Sequence, residues 1–456
     1  MGAINRHLQR AKLVGEKPSS MSDSDLQQLI SERIQREGPI PFAEYMRMAL
    51  YEPGYGYYMT GTAKMGWAAD YFTSTDVSSL FANCMGRQLF AMWEQLKRPA
   101  HFLVLEQGAG RGHLAEGVRM WAQKEAPEFY EVLDYRATDI RGGEDVVEME
   151  MTSHPGQSPM QGRPIQGRGQ LQGRPVQGRG QGERTRTGQA PPLLYTSEVE
   201  EARQKYSRGD PRGRPEQSRG RPVHPSVVVP SVVLSNELVD AFPVHIVEKR
   251  GERLYEVFVD VREDGRLGEV LEEPSTSEVA GYLDMFKVPW RTFEDGWRAE
   301  INLDALRWMR RTSGLMRKGF IMTIDYGDKA KALYTAWRKR GTLLCYYKHQ
   351  ANERPLLHPG KQDITAHVNF SALINEGRRM GMRLHTFTTQ RYWLQRMGIE
   401  EELEQRRVTE FAEAETARAT DRGQVALLKW RDLRQRAAVL TDPDGMGDFK
   451  VLIMRR

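Results

Sequence analysis

The chain has 456 residues, of which 39% are hydrophobic and 28% are charged, and its formal net charge is +5. This length allows two or three domains or one large α/β domain with insertions, and the composition indicates a normal core diluted by an unstructured part. Six arginines and one glutamate between residues 156 and 192 account for the net charge, so the rest of the chain gives no sign of nucleic-acid binding. The two cysteines, Cys84 and Cys345, form no CxxC pair, which argues against a disulfide framework or a zinc knuckle.

The N-terminal part of the chain is basic and is followed by predicted helices. The first 20 residues carry four Lys or Arg side chains against Glu16 alone. Two interpretations remain open, a mitochondrial presequence and an ordinary basic terminus, and either one predicts disorder over residues 1–20. Residues 21–100 are predicted to form a helical segment, with helices over 23–37, 41–51 and 77–96. No apolar run reaches the length of about 18 residues that a membrane-spanning helix needs, so no span is expected.

Strands and helices alternate along the rest of the chain. A short apolar strand over 101–106 leads through a glycine-rich turn into a helix over 114–124, and YRATD (135–139) is a candidate second strand. Further strands are predicted over 231–237, 320–325, 382–387 and 449–454, and a hairpin is predicted from VHIVEK and ERLYEVFVDV around Arg250-Gly251. This alternation predicts an α/β fold with a mostly parallel, doubly wound sheet that binds ligands at the carboxyl ends of its strands.

A direct repeat interrupts this pattern. QGRPIQGRGQL (161–171) is followed at once by QGRPVQGRGQG (172–182), with nine of eleven positions identical. Such a composition buries too little apolar surface to offset the entropy of ordering, so a disordered loop is predicted at about 141–192, followed by a helix over 197–206. The repeat is interpreted as a tolerated loop expansion. RNA binding through its arginines is the alternative.

The glycine-rich turn VLEQGAGRGHL (104–114) contains Gly108, Gly110 and Gly112, and Glu106 stands at the end of its strand. A dinucleotide fingerprint requires G-x-G-x-x-G, but His113 stands where the third glycine would fall, which argues against an NAD-dependent oxidoreductase. A carboxylate at the strand end would repel a pyrophosphate and attract a cofactor that carries an ammonium group and a sulfonium. The turn therefore favours S-adenosylmethionine over NAD, while a purely structural turn remains the alternative.

Two further groups of polar residues follow predicted strands. Asp139 ends YRATD, 27 positions after Gly112, and is the candidate for the ribose hydroxyls; a plain turn residue is the alternative. SNELVDAFPVH (235–245) brings Asn236, Glu237 and Asp240 to the same edge of the sheet, where they could orient an acceptor, accept its proton or hold a guanidinium. Their alternative role is to cap a turn by bonding to the backbone.

The histidines and cysteines predict neither a metal site nor a catalytic nucleophile. Three histidines, His349, His358 and His367, lie nine residues apart, a spacing that suits no standard zinc arrangement, so no metal is expected. Cys84 lies in a helical apolar pattern and is expected in the core rather than as a nucleophile.

Six blocks of sequence resemble one known family, in family order and over about residues 26–454: GPIPFAEYMRMALYEPGYGYY, DYFTSTDVSSLFA, VLEQGAGRGHL, SNELVDAFPV, FIMTIDYG and GTLLCYYKHQANERPLLHPGKQDITAHVNF. They are similar to the MidA family of class I S-adenosylmethionine-dependent methyltransferases, which includes a mitochondrial arginine methyltransferase that assists the assembly of respiratory complex I. The resemblance implies a seven-stranded methyltransferase sheet within 101–456, an inserted cap at about 262–315, and the 21–100 segment against the cofactor pocket.

The same resemblance assigns roles to individual residues. It implies that Glu106, Gly108, Gly110 and Gly112 contact the cofactor, that the 70–78 loop with Thr73 and Ser74 lines the pocket, and that Asn236, Glu237 and Asp240 face the acceptor. Two blocks depart from the family pattern: T-A-P-E-I-S reads TSTDVS (73–78), and E-L-G-P-G-R-G-T reads EQGAGRGH (106–113). None of these changes removes a glycine or Glu106. The replacement of Pro by Thr75 and of Glu by Asp76 alters the expected geometry of the 70–78 loop. The ribose acid could instead lie across the repeat, near residues 195–198.

The function that the resemblance implies is a protein-arginine methyltransferase. It would act on a subunit of respiratory complex I and support complex I assembly, in the mitochondrial matrix if the organism is eukaryotic and in the cytoplasm otherwise. The expected partner is a protein substrate, and Arg-Gly segments such as the repeat are themselves similar to substrates of arginine methyltransferases. A non-catalytic assembly factor that retains the fold is the alternative.

Overall fold

The computed structural model describes residues 24–60, 74, 78–141, 144–149, 229–348, 350–412 and 420–456, and of residues 140–149 the backbone alone. Several predicted features lie outside the described residues. They are the 1–20 terminus, Thr73, the repeat, the helix over 197–206, the alternative acid near 195–198, and His349.

The helices agree with the predicted ones to within a few residues where the two can be compared. They are α1 (Ser24–Glu37), α2 (Phe42–Tyr51), α3 (Ser79–Gln95), α4 (His113–Glu125), α5 (Pro127–Tyr130), α6 (Ser277–Met285), α7 (Leu303–Leu315), α8 (Ala330–Leu333), α9 (Phe370–Arg379), α10 (Gln390–Arg396), α11 (Ile399–Thr409) and α12 (Asp421–Thr441). Buried Leu26, Ile30 and Ile34 in α1 show the four-residue spacing of an amphipathic helix. None of the described helices is both long and apolar enough to cross a membrane.

Within the described ranges, the strands form one large sheet and three smaller ones. They are β1 (Ile40–Pro41), β2 (Phe102–Gln107), β3 (Leu133–Arg141), β4 (Glu144–Met149), β5 (Val232–Asn236), β6 (His245–Arg250), β7 (Arg253–Val261), β8 (Leu267–Glu272), β9 (Arg298–Ile301), β10 (Phe320–Asp325), β11 (Gly327–Asp328), β12 (Leu344–Tyr347), β13 (Gln350–Asn352), β14 (Asp363–Thr365), β15 (Val368–Asn369), β16 (Arg383–Thr389) and β17 (Lys450–Arg455).

The large sheet has seven strands in the order β16-β17-β10-β5-β2-β3-β4. Strands β10, β5, β2 and β3 are parallel, whereas β17 and β4 run antiparallel to their neighbours. The seven-stranded α/β fold is therefore confirmed. One boundary is corrected: residues 144–149, predicted to lie in the disordered loop, form a strand that pairs antiparallel with β3.

Helices cover both faces of the large sheet. Val232 and Leu234 point into a core shared with α3, α4 and α10, whereas Val233 points into a core shared with α7 and α9. This alternation is the two-residue period of a strand that is buried on both faces. The fold is therefore doubly wound, as the sequence predicts.

A second sheet packs on the N-terminal helices α1 and α2. Its order is β1-β7-β6-β9, with β8 also paired to β7, and the predicted hairpin of β6 and β7 is present. Its strands come from residues 245–301 and from residues 40–41. The inserted cap was predicted at about 262–315, so the inserted strands begin earlier in the chain than predicted. A three-stranded sheet of order β13-β12-β14 completes the region beside the acidic residues of β5 and β10.

Candidate active site

The carboxyl ends of the parallel strands place the two predicted groups of residues at one edge of the sheet. Strand β2 pairs with β5 so that Gln107 lies opposite Ser235, and β5 pairs with β10 so that Asn236 lies opposite Ile324. The glycine turn after β2 and the acidic residues after β5 are therefore neighbours, in the position where open α/β sheets bind ligands.

The glycine turn adopts a backbone that only glycine accommodates without strain. Gly108, Gly110 and Gly112 have φ angles of 73°, 56° and 79°, in the left-handed region. The amides of Gly108 and Ala109 donate to the Thr138 carbonyl at 2.9 and 3.1 Å, which ties the turn to β3. Gly112 then leads into α4, whose positive N-terminal end faces this edge.

The turn also approaches the acidic segment closely. A Cβ atom at Gly108 would lie 2.8 Å from Leu238 Cδ1, in the segment that carries Glu237 and Asp240. A side chain at position 108 would therefore disturb both predicted groups of residues, in addition to straining the backbone.

Glu106 is a buried carboxyl group, and within the described part of the chain its side chain accepts a hydrogen bond from a neutral group only. Its side chain is 2% exposed and accepts a hydrogen bond of 2.9 Å from the Tyr135 hydroxyl. Burial raises the pKa of Glu106 to about 7, and the negative charge of Asp139 adds to this, while the Tyr135 bond opposes it. A cation at this position would lower the pKa again, so the site favours a ligand with a positive charge.

Asp139 lies on β3 immediately after Thr138, the residue that holds the glycine turn. Its side chain is partly buried, and its charge acts on Glu106. The structure thus brings the predicted ribose acid to the same edge as the turn.

Glu237 sits in a strained turn directly after β5. Its φ angle is 51°, which is unusual for a residue other than glycine, and its amide donates to the Ile324 carbonyl at 2.8 Å. Oε1 of Glu237 accepts hydrogen bonds from Asn236 Nδ2 at 3.0 Å and from the Ser74 amide at 2.9 Å. Burial raises the pKa of Glu237 to about 8. The hydrogen bond from the Ser74 amide lowers this pKa, whereas the negative charge of Asp240 raises it further.

Asp240 and Asn236 each carry a buried oxygen that lacks a partner. Oδ2 of Asp240 accepts a 2.5 Å hydrogen bond from the Tyr326 hydroxyl, but Oδ1 of Asp240 and Oδ1 of Asn236 have no hydrogen-bond partner among the described residues. The two side chains are 5% and 7% exposed. Burial raises the pKa of Asp240 to about 6. Unpaired buried acceptors are costly, so this arrangement is suited to a ligand that brings N–H donors.

Asp325 is a further acid in this group, fully buried, and it was not among the site residues predicted from the sequence. It ends β10 and accepts hydrogen bonds from the amides of Val239, Asp240 and Tyr326, at 3.0, 3.3 and 3.0 Å. Burial, with the charges of Asp240 and Glu237, raises its pKa. Asp325 could have been recognised in the sequence, because it ends a buried strand, and Glu106 stands one residue before the end of another. We refer to Asn236, Glu237, Asp240 and Asp325 as the acidic corner.

Several other residues that the sequence singled out have structural contacts. Gln107, which departs from the family pattern, accepts a 2.7 Å hydrogen bond from Trp308 Nε1 of α7. Cys84 is buried in the core, as predicted, and burial raises the pKa of its thiol to about 11. The ring of His367 lies against Tyr326, with ring centroids 5.4 Å apart. No cluster of His, Cys, Asp and Glu in the described part of the chain could hold a metal ion.

Comparisons with known proteins agree with this geometry. The model of a family of S-adenosyl-L-methionine-dependent methyltransferases matches residues 84–142 and 217–388, about half of the chain. The mitochondrial protein arginine methyltransferase NDUFAF7 homolog of Drosophila melanogaster is 25% identical over 96% of this chain and 88% of its own. Human mitochondrial protein arginine methyltransferase NDUFAF7 is 24% identical over 85% of this chain and 76% of its own.

A solved structure supports the same fold. A Burkholderia thailandensis protein bound to S-adenosyl-homocysteine superposes with a TM-score of 0.66, at 23% identity, over 97% of this chain and 95% of its own. The left-handed glycines and the buried Glu106 fit a cofactor that presents a nucleoside to backbone and a cation to a carboxyl group. The chain belongs to the family of S-adenosyl-L-methionine-dependent methyltransferases.

Proposed function

We propose that this methyltransferase modifies an arginine side chain of a protein, and that the protein is a subunit of respiratory complex I in the mitochondrion. The observation that carries the proposal is a pair of buried oxygens in the acidic corner, Asp240 Oδ1 and Asn236 Oδ1, for which the described residues supply no hydrogen-bond partner. A guanidinium is planar, permanently charged and carries five N–H donors, so it can satisfy two such acceptors at once.

The electrostatics of the acidic corner also favour a cation. Burial raises the pKa of Glu237 and of Asp325. The charge of Asp240 adds to both increases, and the charge of Glu237 adds to the increase at Asp325. A bound guanidinium would offset this repulsion and restore the ionised forms. It would pair with Asp240 through charge-assisted hydrogen bonds.

The reaction also requires a proton acceptor. When bound, S-adenosylmethionine supplies an electrophilic methyl group on a positively charged sulfur. Methylation of a guanidinium nitrogen releases one proton, and a carboxylate with a pKa near neutrality is suited to take it. The pKa values of Asp240 and Glu237, about 6 and about 8, lie in that range. We assign Asp240 and Asn236 to orientation of the acceptor and Glu237 to acceptance of the proton.

The acidic corner and the glycine turn have separate tasks in this proposal. Glu106, Gly108, Gly110 and Gly112 bind the cofactor, Asp139 binds its ribose hydroxyls, and Ser74 closes the pocket through its bond to Glu237. The names of the Drosophila and human relatives support arginine as the acceptor and the mitochondrion as the location.

The test is a methyl-transfer assay with radiolabelled S-adenosylmethionine and recombinant subunits of complex I, followed by amino-acid analysis of the labelled product. The proposal predicts methylarginine in one subunit, and none when the Gly110→Val variant replaces the wild type. Label on another residue type would contradict arginine as the acceptor. A wild-type protein that binds a subunit and the cofactor but transfers nothing would identify a non-catalytic assembly factor.

A further inference from the structure

Partly exposed tyrosine side chains lie near Asp240. Tyr51 ends α2, Tyr58 follows in the next loop, and Tyr346 lies on β12. Together with Asp363 of β14 we call Tyr51, Tyr58 and Tyr346 the tyrosine collar. None of these residues contributes to the proposed cofactor site or to the acidic corner.

Hydrogen bonds and ring contacts hold two of the tyrosines beside Asp240. The Tyr51 hydroxyl donates to the carbonyl of Ala241 at 2.9 Å, next to Asp240 in the chain. The Tyr51 and Tyr58 rings are stacked, with centroids 5.5 Å apart and planes at 24°. The Tyr58 hydroxyl donates to Asp363 Oδ1 at 2.8 Å. Both rings are therefore fixed before any ligand binds.

Strand pairing places Tyr346 on the same side. Tyr346 lies opposite Asp363 in the antiparallel pair of β12 and β14, while Cys345 and Ile364 lie opposite each other and are buried in the core. Because side chains alternate along a strand, Tyr346 and Asp363 share the other face. The same chain segment reaches Asp240, since the Ala366 amide donates to the Asp240 carbonyl at 3.0 Å.

We propose that the tyrosine collar receives the acceptor side chain, holding its aliphatic stem and guanidinium against aromatic faces on the way to Asp240, and that Tyr346 determines how tightly the acceptor binds. This inference rests on the proposed arginine specificity. It adds a recognition site for the cationic side chain at the entrance to the acidic corner.

The chemistry of the tyrosine collar suits a guanidinium. Aromatic faces attract cations, and guanidinium groups stack on them more readily than ammonium groups do. The charges of Asp363 and Asp240 act on the tyrosines and, after burial, contribute to raising the pKa of Tyr346 and of Tyr51, so both acids lie near these rings. The Tyr346 hydroxyl makes no hydrogen bond within the described part of the chain, so its ring is free to serve a ligand.

The test uses a peptide with the sequence of residues 161–171, QGRPIQGRGQL, and a second peptide in which neutral citrulline replaces both arginines. Wild type, Tyr346→Ala, Tyr346→Phe and Tyr392→Ala are compared at saturating S-adenosylmethionine. Tyr392 is 63% exposed on α10 and serves as the matched control. We expect Tyr346→Ala to raise KM for the arginine peptide about tenfold with kcat within about twofold. The Phe variant and Tyr392→Ala should keep the wild-type KM, and calorimetry should show unchanged cofactor affinity.

The possible outcomes separate this inference from the proposed function. If the wild type methylates the arginine peptide but Tyr346→Ala has an unchanged KM, the role of the tyrosine collar is wrong and the arginine specificity stands. An equal rise of KM in Tyr392→Ala would also overturn the inference. If the wild type binds the cofactor and treats the arginine and citrulline peptides alike, both proposals fail.

Discussion

The glycine turn after β2 and the acidic corner after β5 lie at one edge of the same sheet, but they are built by different means. The turn depends on backbone conformation, with three glycines at positive φ and two amides bonded to the Thr138 carbonyl. The acidic corner depends on side-chain charge, with the buried carboxyl groups of Asp240 and Asp325, the partly buried Glu237, and two oxygens that lack partners among the described residues.

This difference explains which departures from the family pattern matter. Gln107, Ala109 and His113 change side chains in the turn, while the three glycines and Glu106 remain. Because Gln107 accepts a hydrogen bond from Trp308 of α7, we expect its replacement of the family residue to affect packing rather than cofactor binding. In the acidic corner the loss of one charge would instead remove a partner of the acceptor. Cofactor binding and methyl transfer should therefore be separable by mutation.

The largest effect is expected at Asp240. The Asp240→Asn substitution keeps the shape and can still accept the Tyr326 hydrogen bond, but it removes the charge that pairs with the guanidinium. Truncating one partner of a buried charge pair costs about 2–5 kcal/mol, so kcat/KM for an arginine substrate should fall about a hundredfold or more. Steady-state kinetics and calorimetric titration with S-adenosylmethionine check the prediction, and the affinity for the cofactor should not change.

Asp134→Asn is the matched control for this substitution, because Asp134 lies at the opposite end of β3, where its carboxylate bonds to Arg136. Both rate and affinity should stay at the wild-type values in this variant. A parallel loss of cofactor affinity in Asp240→Asn would show that the two regions are not separable.

A pH-dependent effect on stability is expected at Glu106. Because its pKa is raised from 4.5 to about 7 in the folded protein, the folded state holds this proton more tightly than the unfolded chain does. The protonated Glu106 side chain is therefore compatible with the folded state below pH 4.5, and this contribution to stability is lost as the pH rises to 7. There the ionised, buried carboxylate lowers the free energy of unfolding by up to about 3 kcal/mol. Without cofactor, Glu106→Gln should therefore raise Tm at pH 8 relative to wild type, with no gain at pH 5.

Glu256 provides a control of opposite sign. Although burial opposes it, hydrogen bonds from His245 and Ser275 hold the pKa of this buried carboxyl group below its usual value. Glu256 thus adds stability at neutral pH that is lost as the pH falls, so Glu256→Gln should lower Tm at pH 8. An identical pH response of the two variants would contradict the electrostatic account of Glu106.

The smallest effect is expected at the bond between Trp308 and Gln107. Trp308→Phe leaves the Gln107 Oε1 atom unpaired in the interior, which should lower the free energy of unfolding by about 1–3 kcal/mol. Thermal denaturation measures this loss, and the double variant with Gln107→Met should lose less than the sum of the single ones. Cofactor affinity and kcat should remain at wild-type levels, and a loss of affinity would give Gln107 a role in the pocket.

Local sequence patterns predicted much of the fold. FIMTID was predicted over 320–325, and β10 occupies these same residues because its continuous apolar run is bounded by glycines. The glycine turn and SNELVD were also recognised from short motifs. They lie next to each other because the strands that precede them, β2 and β5, pair in parallel. Strand β4 was missed because half of the residues in Glu144–Met149 are acidic, and their pairing with β3 is a tertiary contact that no local pattern shows.

The partners of the candidate site residues could not be predicted in the same way. Tyr135 reaches Glu106, and Asp363 reaches Tyr58, across 29 and 305 residues of sequence. Such contacts depend on tertiary packing, which no local pattern encodes. Asp325 is different, because an acid at the end of a buried strand is visible in the sequence.

We propose that the left-handed glycine turn holds S-adenosylmethionine, and calorimetric titration of the purified protein with this cofactor measures that binding. Gly110→Val forces a β-branched residue into a φ of 56° within the turn, and Gly251→Val imposes the same φ in the β6–β7 hairpin, where an added Cβ meets nothing within 4 Å. Wild type and Gly251→Val should bind the cofactor with equal affinity, whereas Gly110→Val should not bind it. Equal binding by Gly110→Val, or no binding by the wild type, would show that the glycine turn does not hold the cofactor.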